Sequence, residues 1–282
     1  MQSEYFLLVE IKSSVFFGII LIIIESSKKV IKRHMMTGKP NKIKVKIKRG
    51  SGQSSITQEF EVPEQDNQTV LDLVTYIQEY IDPTVSYRFA CRVGMCGSCG
   101  MMVNGEPRWT CRTHVKKVLG SSKTIEVGPL KNLPVIRDLV VDMDPFFDKW
   151  IAVGGVHHPS KNRHQSIEKI DETSVERTLA NDAVECINCG VCYASCDVVS
   201  ANNDYFGPAA LNRAWSLVND VKTKNKDSIL EAVSSNAGCH NCHSQQNCSN
   251  YCPNELNPSA SIASLKRTVM TSKINNLFGS VK

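Results

Sequence analysis

The sequence predicts an α+β protein with a β-rich first domain and a helical second domain. Three observations predict this fold class: strict alternation of apolar and basic residues over 42–48, a helical apolar period over 70–81, and repeated helical stretches after residue 143. A period of two is typical of a half-buried strand, and recurrence every three or four residues is typical of an amphipathic helix. The chain of 282 residues, 41% hydrophobic and 22% charged, has room for about two globular domains.

The first domain is predicted to cover residues 41–142. Its first strand directs Ile43, Val45 and Ile47 to a core and the intervening lysines to water. A turn over 50–55 leads to a returning strand at 56–62. The helix over 70–81 has Asn67 or Thr69 as its cap, and further strands are expected around 101–103 and 124–127.

The second domain is predicted to cover residues 143–282, after a linker near 134–145. Helices are expected at 146–150, 174–184, 208–218, 228–235 and 260–270. His157 and His158 lie in a segment rich in His, Pro and Gly, with no further ligand at a recognisable spacing, so they are predicted to be surface-loop residues. Trp215 is predicted to pack in the core.

The first domain also contains a set of four cysteines with a distinctive spacing, Cys91, Cys96, Cys99 and Cys111. The pattern C-x4-C-x2-C with a distant fourth cysteine is the plant-type signature of a [2Fe–2S] cluster. Intervening glycines allow the positive φ angles and close approach that a cluster loop needs. A zinc site is the alternative, but zinc sites usually pair two C-x2-C knuckles and only one is present. The set and the predicted elements together describe a β-grasp plant-type ferredoxin.

Two further cysteine sets lie in the second domain. Cys186, Cys189, Cys192 and Cys196 follow the C-x2-C-x2-C-x3-C run of bacterial ferredoxins, whose fourth cysteine ligates the other cluster. In the third set, Cys242, Cys248 and Cys252, the expected middle cysteine is replaced by Gln245. Crosswise assignment gives a [4Fe–4S] cluster to Cys186, Cys189, Cys192 and Cys252, and a [3Fe–4S] cluster to Cys196, Cys242 and Cys248. The domain is therefore predicted to resemble an α-helical two-cluster ferredoxin, with Cys239 as a free thiol.

Residues 1–40 form a predicted extension outside both domains. An apolar run over 15–24 is followed by a basic cluster, but ten residues are too short to span a hydrocarbon core, which needs about 20. The extension is interpreted either as a membrane-surface anchor or as an upstream false start, with Met35 or Met36 as the true beginning.

The net charge of the chain is +5, and its basic residues are interspersed with acidic ones, so no nucleic-acid partner is predicted. Thiolate ligands require a reducing compartment.

The ordered cysteine sets resemble those of the iron–sulfur subunit of succinate dehydrogenase and quinol:fumarate reductase, the complex II family. The resemblance covers about 42–266, including SYRFACRVGMCGSCGMMVNGEP, LPVIRDLVVDM, CINCGVCYASC, YFGPAAL and NCSNYCPNELNP. It implies electron transfer from an FAD-containing flavoprotein subunit through [2Fe–2S], [4Fe–4S] and [3Fe–4S] clusters to a quinone, or the reverse. It also implies a membrane anchor with or without heme, and a peripheral position on the cytoplasmic face of a bacterial inner membrane or the matrix face of the mitochondrial inner membrane.

The quinone end departs from the family pattern. The cysteine matching Cys196 is usually followed by proline and, a few residues later, by a quinone-binding tryptophan, and here Asp197 follows without either. His243 and Lys266 match positions near the family's quinone pocket. Two alternatives stay open: the iron–sulfur arm of another flavin-linked reductase, and a free-standing ferredoxin-type carrier. The chain has no G-x-G-x-x-G flavin motif, so it is not expected to bind the organic substrate.

Overall fold

The structure is a computed structural model that describes residues 41–167 and 169–278. The predicted anchor or false start in residues 1–36 lies outside this part of the chain. Within the described residues, no helix has both the length and the apolar character needed to cross a membrane.

A five-stranded sheet forms the first half of the described chain, in the order β2-β1-β5-β3-β4. Its strands are β1 (Lys42–Arg49), β2 (Ile56–Pro63), β3 (Gly100–Val103), β4 (Glu106–Trp109) and β5 (Thr124–Gly128). Strand β1 is antiparallel to β2 and parallel to β5. Strand β3 is antiparallel to both β4 and β5. Central β1 therefore joins the first hairpin to the rest of the sheet.

The helix α1 (Val70–Tyr80) packs on this sheet as the apolar period predicts. Its buried residues share one core with the apolar residues of β1, which are fully buried while the alternating lysines stay at the surface. Of the two predicted caps, Thr69 is the one used. Its hydroxyl accepts from the Asp72 N–H at 3.3 Å, and the Asp72 carboxylate accepts from the Thr69 N–H at 2.9 Å. This capping box fixes the start of the helix. The five-stranded sheet with α1 packed on it confirms the β-grasp prediction.

The second half is helical, also as predicted. A short helix, α2 (Val115–Val118), lies between β4 and β5 of the first half. The helices of the second half are α3 (Asp144–Ala152), α4 (Val175–Val184), α5 (Val191–Ala194), α6 (Asp197–Ala201), α7 (Pro208–Asn219), α8 (Lys226–Val233), α9 (Asn247–Asn250) and α10 (Pro258–Phe278). Helix α7 lies at the centre of this half. Leu211, Ala214 and Leu217 are buried on it, and Trp215 packs in the same core as predicted.

Several predicted boundaries differ from the observed ones. Helix α10 begins two residues earlier than predicted and continues to Phe278. The prediction ended at residue 270 because the helix lacks a regular apolar period that would mark its last turns. Strands β4, β6 (Val135–Arg137) and β7 (Val140–Val141) were not predicted. Buried residues form two clusters, and chain neighbours such as Leu139 and Val141 belong to different ones. The predicted domain boundary near residue 142 stays a prediction.

Candidate iron–sulfur cluster sites

Three cysteines of the first set, Cys91, Cys96 and Cys99, lie in the loop between α1 and β3, and the fourth, Cys111, follows β4. The Cys91 sulfur accepts backbone N–H groups from Val93 at 3.4 Å, Met95 at 3.2 Å and Cys96 at 3.3 Å. The loop therefore folds back around its first cysteine with several amides directed at one sulfur. Backbone donors of this kind stabilise a thiolate and the sulfur atoms of a bound cluster.

Glycines let this loop approach its neighbours closely. Gly94 has φ +78°, and a Cβ there would lie 2.8 Å from the Trp109 ring. Gly97 has φ +71°, and a Cβ there would lie 2.8 Å from both Cα and Cβ of Cys189. The first cysteine loop thus contacts the start of the second cysteine set directly, which only glycine permits at position 97.

The thiols of the first set have contrasting electrostatics. The pKa of Cys96 is lowered to about 6, chiefly because the Ser98 side chain hydrogen-bonds it and secondly because backbone N–H groups do. The pKa of Cys111 is raised to about 12 by burial and by its neighbour Cys99. Cys96 is therefore a thiolate at neutral pH, whereas Cys111 needs a bound metal to favour its deprotonated form.

The second site is a small cavity whose wall contains four cysteines, Cys186, Cys189, Cys192 and Cys252. Cys186 and Cys189 lie in the segment before α5, Cys192 lies on α5, and Cys252 follows α9. The backbone turns into the cavity through positive φ angles at Asn188 and Gly190. Burial raises the pKa of Cys186, and raises that of Cys189 to about 12. The structure thus brings together the crosswise set predicted for a [4Fe–4S] cluster, although ligation itself stays a prediction.

The third site is a small cavity whose wall contains Cys196, Cys242 and Cys248. Gln245 lies in the same wall, where the sequence pattern of a four-iron site would have its fourth cysteine. The Ser244 N–H donates to the Cys242 sulfur at 3.4 Å. Burial raises the pKa of Cys248 to about 11 and raises that of the neighbouring Tyr205 phenol. This wall therefore contains three thiols, with Gln245 in place of a fourth, which fits the predicted [3Fe–4S] cluster.

The donor sets suit clusters because their thiols are distributed around a space. Among the described residues, no three His, Cys, Asp or Glu side chains converge as ligands of a single ion. Cluster thiolates bind different irons, so they need not meet at one point. The residues present therefore fit one plant-type and two bacterial-type clusters.

The remaining predicted residues lie around the third site. Cys239 is fully buried and is not part of the wall of either cavity in the helical half. His243 lies in the wall of the third cavity and is exposed. Lys266 is not part of that wall. Its Nζ donates to the Cys242 carbonyl at 2.7 Å, so it is held beside the third site through the backbone of a predicted ligand. His157 and His158 are exposed, as predicted.

Sequence reasoning missed one polar residue at the second site, Asn212. It lies on α7 and contributes to the wall of the four-cysteine cavity. No motif marks it, because it stands within an apolar helical period and far from the cysteines in sequence. Only the packing of α7 against α5 and the loop after α9 brings it there.

Comparisons with known proteins agree with these sites. Residues 42–148 match the family described as 2Fe-2S iron-sulfur cluster binding domain, and residues 185–257 match the 4Fe-4S dicluster domain family. The fumarate reductase iron-sulfur subunit of Haemophilus influenzae is 33% identical over 215 residues, which is 72% of this chain and 82% of the relative. The chain belongs to the family of fumarate reductase and succinate dehydrogenase iron–sulfur subunits.

Other relatives of this iron–sulfur subunit come from both branches of the family. The fumarate reductase iron-sulfur subunit of Mycobacterium tuberculosis is 34% identical over 224 residues, 78% of this chain and 88% of the relative. The succinate dehydrogenase iron-sulfur subunit of Paracoccus denitrificans is 32% identical over 207 residues, 71% of this chain and 76% of the relative. The family relationship therefore does not favour one direction of electron flow.

A solved structure shares the fold. A chain of the Mycobacterium smegmatis Sdh1 complex in the apo form superposes with a TM-score of 0.75 at 22% identity, over 86% of this chain and 100% of that chain. The [2Fe–2S] and [4Fe–4S] assignments of this iron–sulfur subunit thus rest on its family matches and its fold together, and the fold class predicted from the sequence is confirmed.

Proposed function

We propose that this iron–sulfur subunit carries electrons one at a time between a flavoprotein subunit and a membrane quinone, in a succinate dehydrogenase or fumarate reductase. When bound, [2Fe–2S], [4Fe–4S] and [3Fe–4S] clusters supply one-electron redox centres whose potentials depend on cluster type, hydrogen bonds and burial. The protein's contribution is to hold the three sets of thiols in sequence and to shield them from solvent.

The contact between the first and second sites carries this proposal. Gly97 in the first loop packs on Cys189, so the two predicted ligand sets meet without an intervening layer of side chains. The second and third sites are adjacent along the chain, because Cys192 lies on α5 and Cys196 caps the start of the next helix, α6. A continuous series of adjacent sites is what a carrier of single electrons needs.

The two ends of the series of cluster sites have surfaces suited to different partners. Around the first loop, Val93 and Met95 are exposed apolar side chains, 60% and 71% accessible, which suit burial against a flavoprotein subunit. At the other end, the exposed His243 and the Lys266 ammonium lie beside the third site, where a quinone needs a hydrogen-bond donor or a cation as it gains charge. We place the subunit at the surface of a membrane, docked on an anchor subunit at this end.

The proposal is tested on the complex purified through a tag on this chain. Iron and acid-labile sulfide should be present, zinc should be absent, and EPR should resolve three cluster signals, including a three-iron signal in the oxidised state. A flavoprotein and a membrane anchor should copurify, and succinate should reduce the clusters. Purification of the chain alone with intact clusters would favour a free-standing carrier instead.

A further inference from the structure

Asn212 is a buried amide without a partner in the wall of the second cavity. The residue is 1% exposed. Neither its Nδ2 nor its Oδ1 has a hydrogen-bond partner among the described protein groups. It shares the cavity wall with Cys186, Cys189, Cys192 and Cys252. Buried polar side chains in folded proteins nearly always have a partner, so an amide of this kind points to a group that the cavity is built to hold.

The chemistry of that group decides which end of the amide is used. Cysteine thiolates and inorganic sulfides are hydrogen-bond acceptors and have no proton to donate. The amide nitrogen is a donor with two N–H groups, whereas the oxygen only accepts. A cluster in the cavity therefore gives a partner to Nδ2 and orients the side chain with its nitrogen toward sulfur.

We propose that Nδ2 of Asn212 donates a hydrogen bond to a sulfur of the [4Fe–4S] cluster and raises the reduction potential of that cluster. The inference rests on the proposed function, because it requires a four-iron cluster on these cysteines. Reduction adds negative charge to a cluster, and a donor aimed at its sulfurs stabilises the reduced form more than the oxidised form. Asn212 is thereby a positioning and tuning residue for electron transfer.

The neighbouring cation does not duplicate this role. Arg213 follows Asn212 on α7, but its Nε donates to the Gly155 carbonyl at 3.0 Å. Its guanidinium also lies 5.4 Å from the centre of the Trp150 ring. The arginine is thus committed to the α3 region and contributes only a charge near the site, while the directional donor is Asn212.

The test is an EPR-monitored redox titration of the intact complex carrying Asn212→Leu, which keeps the number and branching of the side-chain heavy atoms and removes both polar atoms. The equilibrium constant for one-electron reduction of the four-iron cluster should fall about tenfold, a potential lower by about 59 mV. Asn212→Ser is the second variant, because a serine hydroxyl in a helix turns back to a backbone carbonyl and should lower the potential similarly. Asn219→Leu is the matched control. Asn219 lies on the same helix and donates to the Trp215 carbonyl at 2.8 Å.

Each outcome has a defined meaning. A lower four-iron potential in both Asn212 variants, with unchanged iron content and an unchanged Asn219 variant, supports the hydrogen bond. An unchanged potential in a loaded Asn212→Leu complex overturns it. Loss of the cluster from both Asn212 variants, while Asn219→Leu loads normally, assigns Asn212 to assembly and also overturns it. Absence of any four-iron signal from the wild-type complex would contradict the proposed function itself.

Discussion

Gly97 packs against Cys189 so closely that a side-chain carbon at position 97 would lie 2.8 Å from the Cα and the Cβ of the cysteine. The two residues lie in the segments of two different predicted cofactor sites. A Cβ at Gly100, the first residue of β3, would lie 2.9 Å from the Cys189 carbonyl oxygen. The distance between the first and second sites is therefore set by backbone contact and depends on two small residues.

Replacing Gly97 by alanine should disturb both sites at once. The substitution adds a Cβ where there is no room and places alanine at φ +71°. The left-handed backbone alone costs roughly 1 kcal/mol. Because the nearest atoms are the Cα and Cβ of Cys189 and the Ile187 carbonyl oxygen, which cannot turn away, the two segments must also move apart. We expect a lower melting temperature and reduced iron content, measured by thermal unfolding and metal analysis.

Gly105→Ala is the matched control for Gly97→Ala. Gly105 has φ +84° and no atom within 4 Å of a Cβ built there, so it reports the backbone cost without the clash. An equal loss of stability in the two variants, with full iron content in both, would show that the contact with Cys189 is unimportant.

Asp138 should make stability depend on pH in the acid range. It is 2% exposed, accepts N–H groups from Gly50 at 2.7 Å and Ser86 at 2.9 Å, and lies 3.1 Å from Nε of Arg49. Burial alone would raise the pKa of Asp138, but these hydrogen bonds and the arginine lower it overall. A lowered pKa stabilises the fold above the unfolded value of about 3.9, and that stability is lost as pH falls through the folded value.

Asp138→Asn tests this pH dependence. The variant should be less stable by about 1–3 kcal/mol at neutral pH, because a charged acceptor is lost from buried donors. The difference from wild type should shrink as the pH falls below about 4, because Asp138 of the unfolded wild-type chain then takes up a proton while the folded carboxylate, with its lowered pKa, does so only at lower pH. Thermal unfolding from pH 3 to 8 measures it. Asp66→Asn, at a carboxylate 95% exposed, is the control and should behave like wild type. A constant difference across this range would contradict the assignment.

The elements that sequence predicted well have strong local patterns. Alternation placed β1 correctly, and the apolar period together with Thr69 placed the start of α1. Strand β4 was missed because its sequence, EPRW, has no strand pattern. A usable signal did precede it. Asn104 and Gly105 both have positive φ, and Asn-Gly between two strands is the strongest short hairpin signal.

The sites were predictable to a similar degree. Cysteine spacing identified the sets that line the two cavities of the helical half, because ligand spacing is local chemistry. Asn212 and the Gly97–Cys189 contact could not be predicted. They depend on how distant segments pack, which leaves no periodic signal in the chain.

Cys239 and Cys242 should respond differently to the same substitution. Cys239 is buried outside the cavity walls, whereas Cys242 lies in the wall of the third cavity. Cys239→Ser should retain iron content and all three EPR signals. Cys242→Ser should lose the three-iron signal and assemble poorly, because metal-binding free energy is also folding free energy. Loss of a cluster from the Cys239 variant alone would shift the third ligand set to the Cys239–Cys242 pair.

Gln245→Cys should convert the third cluster toward a four-iron form. Gln245 lies in the cavity wall with the three predicted ligands, so a thiol there adds the fourth donor. The oxidised three-iron EPR signal should diminish, a reduced four-iron signal should appear, and quinone reduction should slow as the potential falls. Gln65→Cys, at a residue distant from the sites in sequence, controls for an added thiol. An unchanged oxidised spectrum in Gln245→Cys would contradict the crosswise assignment.

His243 and Lys266 should separate quinone turnover from flavin chemistry. If both act on the quinone, His243→Ala and Lys266→Ala should lower quinone turnover while succinate-driven reduction of a dye at the flavin end stays near wild type. A quinone gaining charge needs a donor or a cation, and the dye takes electrons before they reach this end. The Lys266 variant also loses the 2.7 Å hydrogen bond to the Cys242 carbonyl, so the three-iron signal must be followed in parallel.

Two neighbouring residues provide matched controls for this experiment. His240 is an exposed histidine in the turn before Cys242, and Lys273 is an exposed lysine farther along α10. His240→Ala and Lys273→Ala should leave both rates unchanged. If Lys266→Ala lowers both rates together with iron content, its role is to hold the Cys242 backbone. If both test variants reduce quinone at the wild-type rate with full iron content, the acceptor site is built from other residues, in keeping with the departure from the family pattern after Cys196.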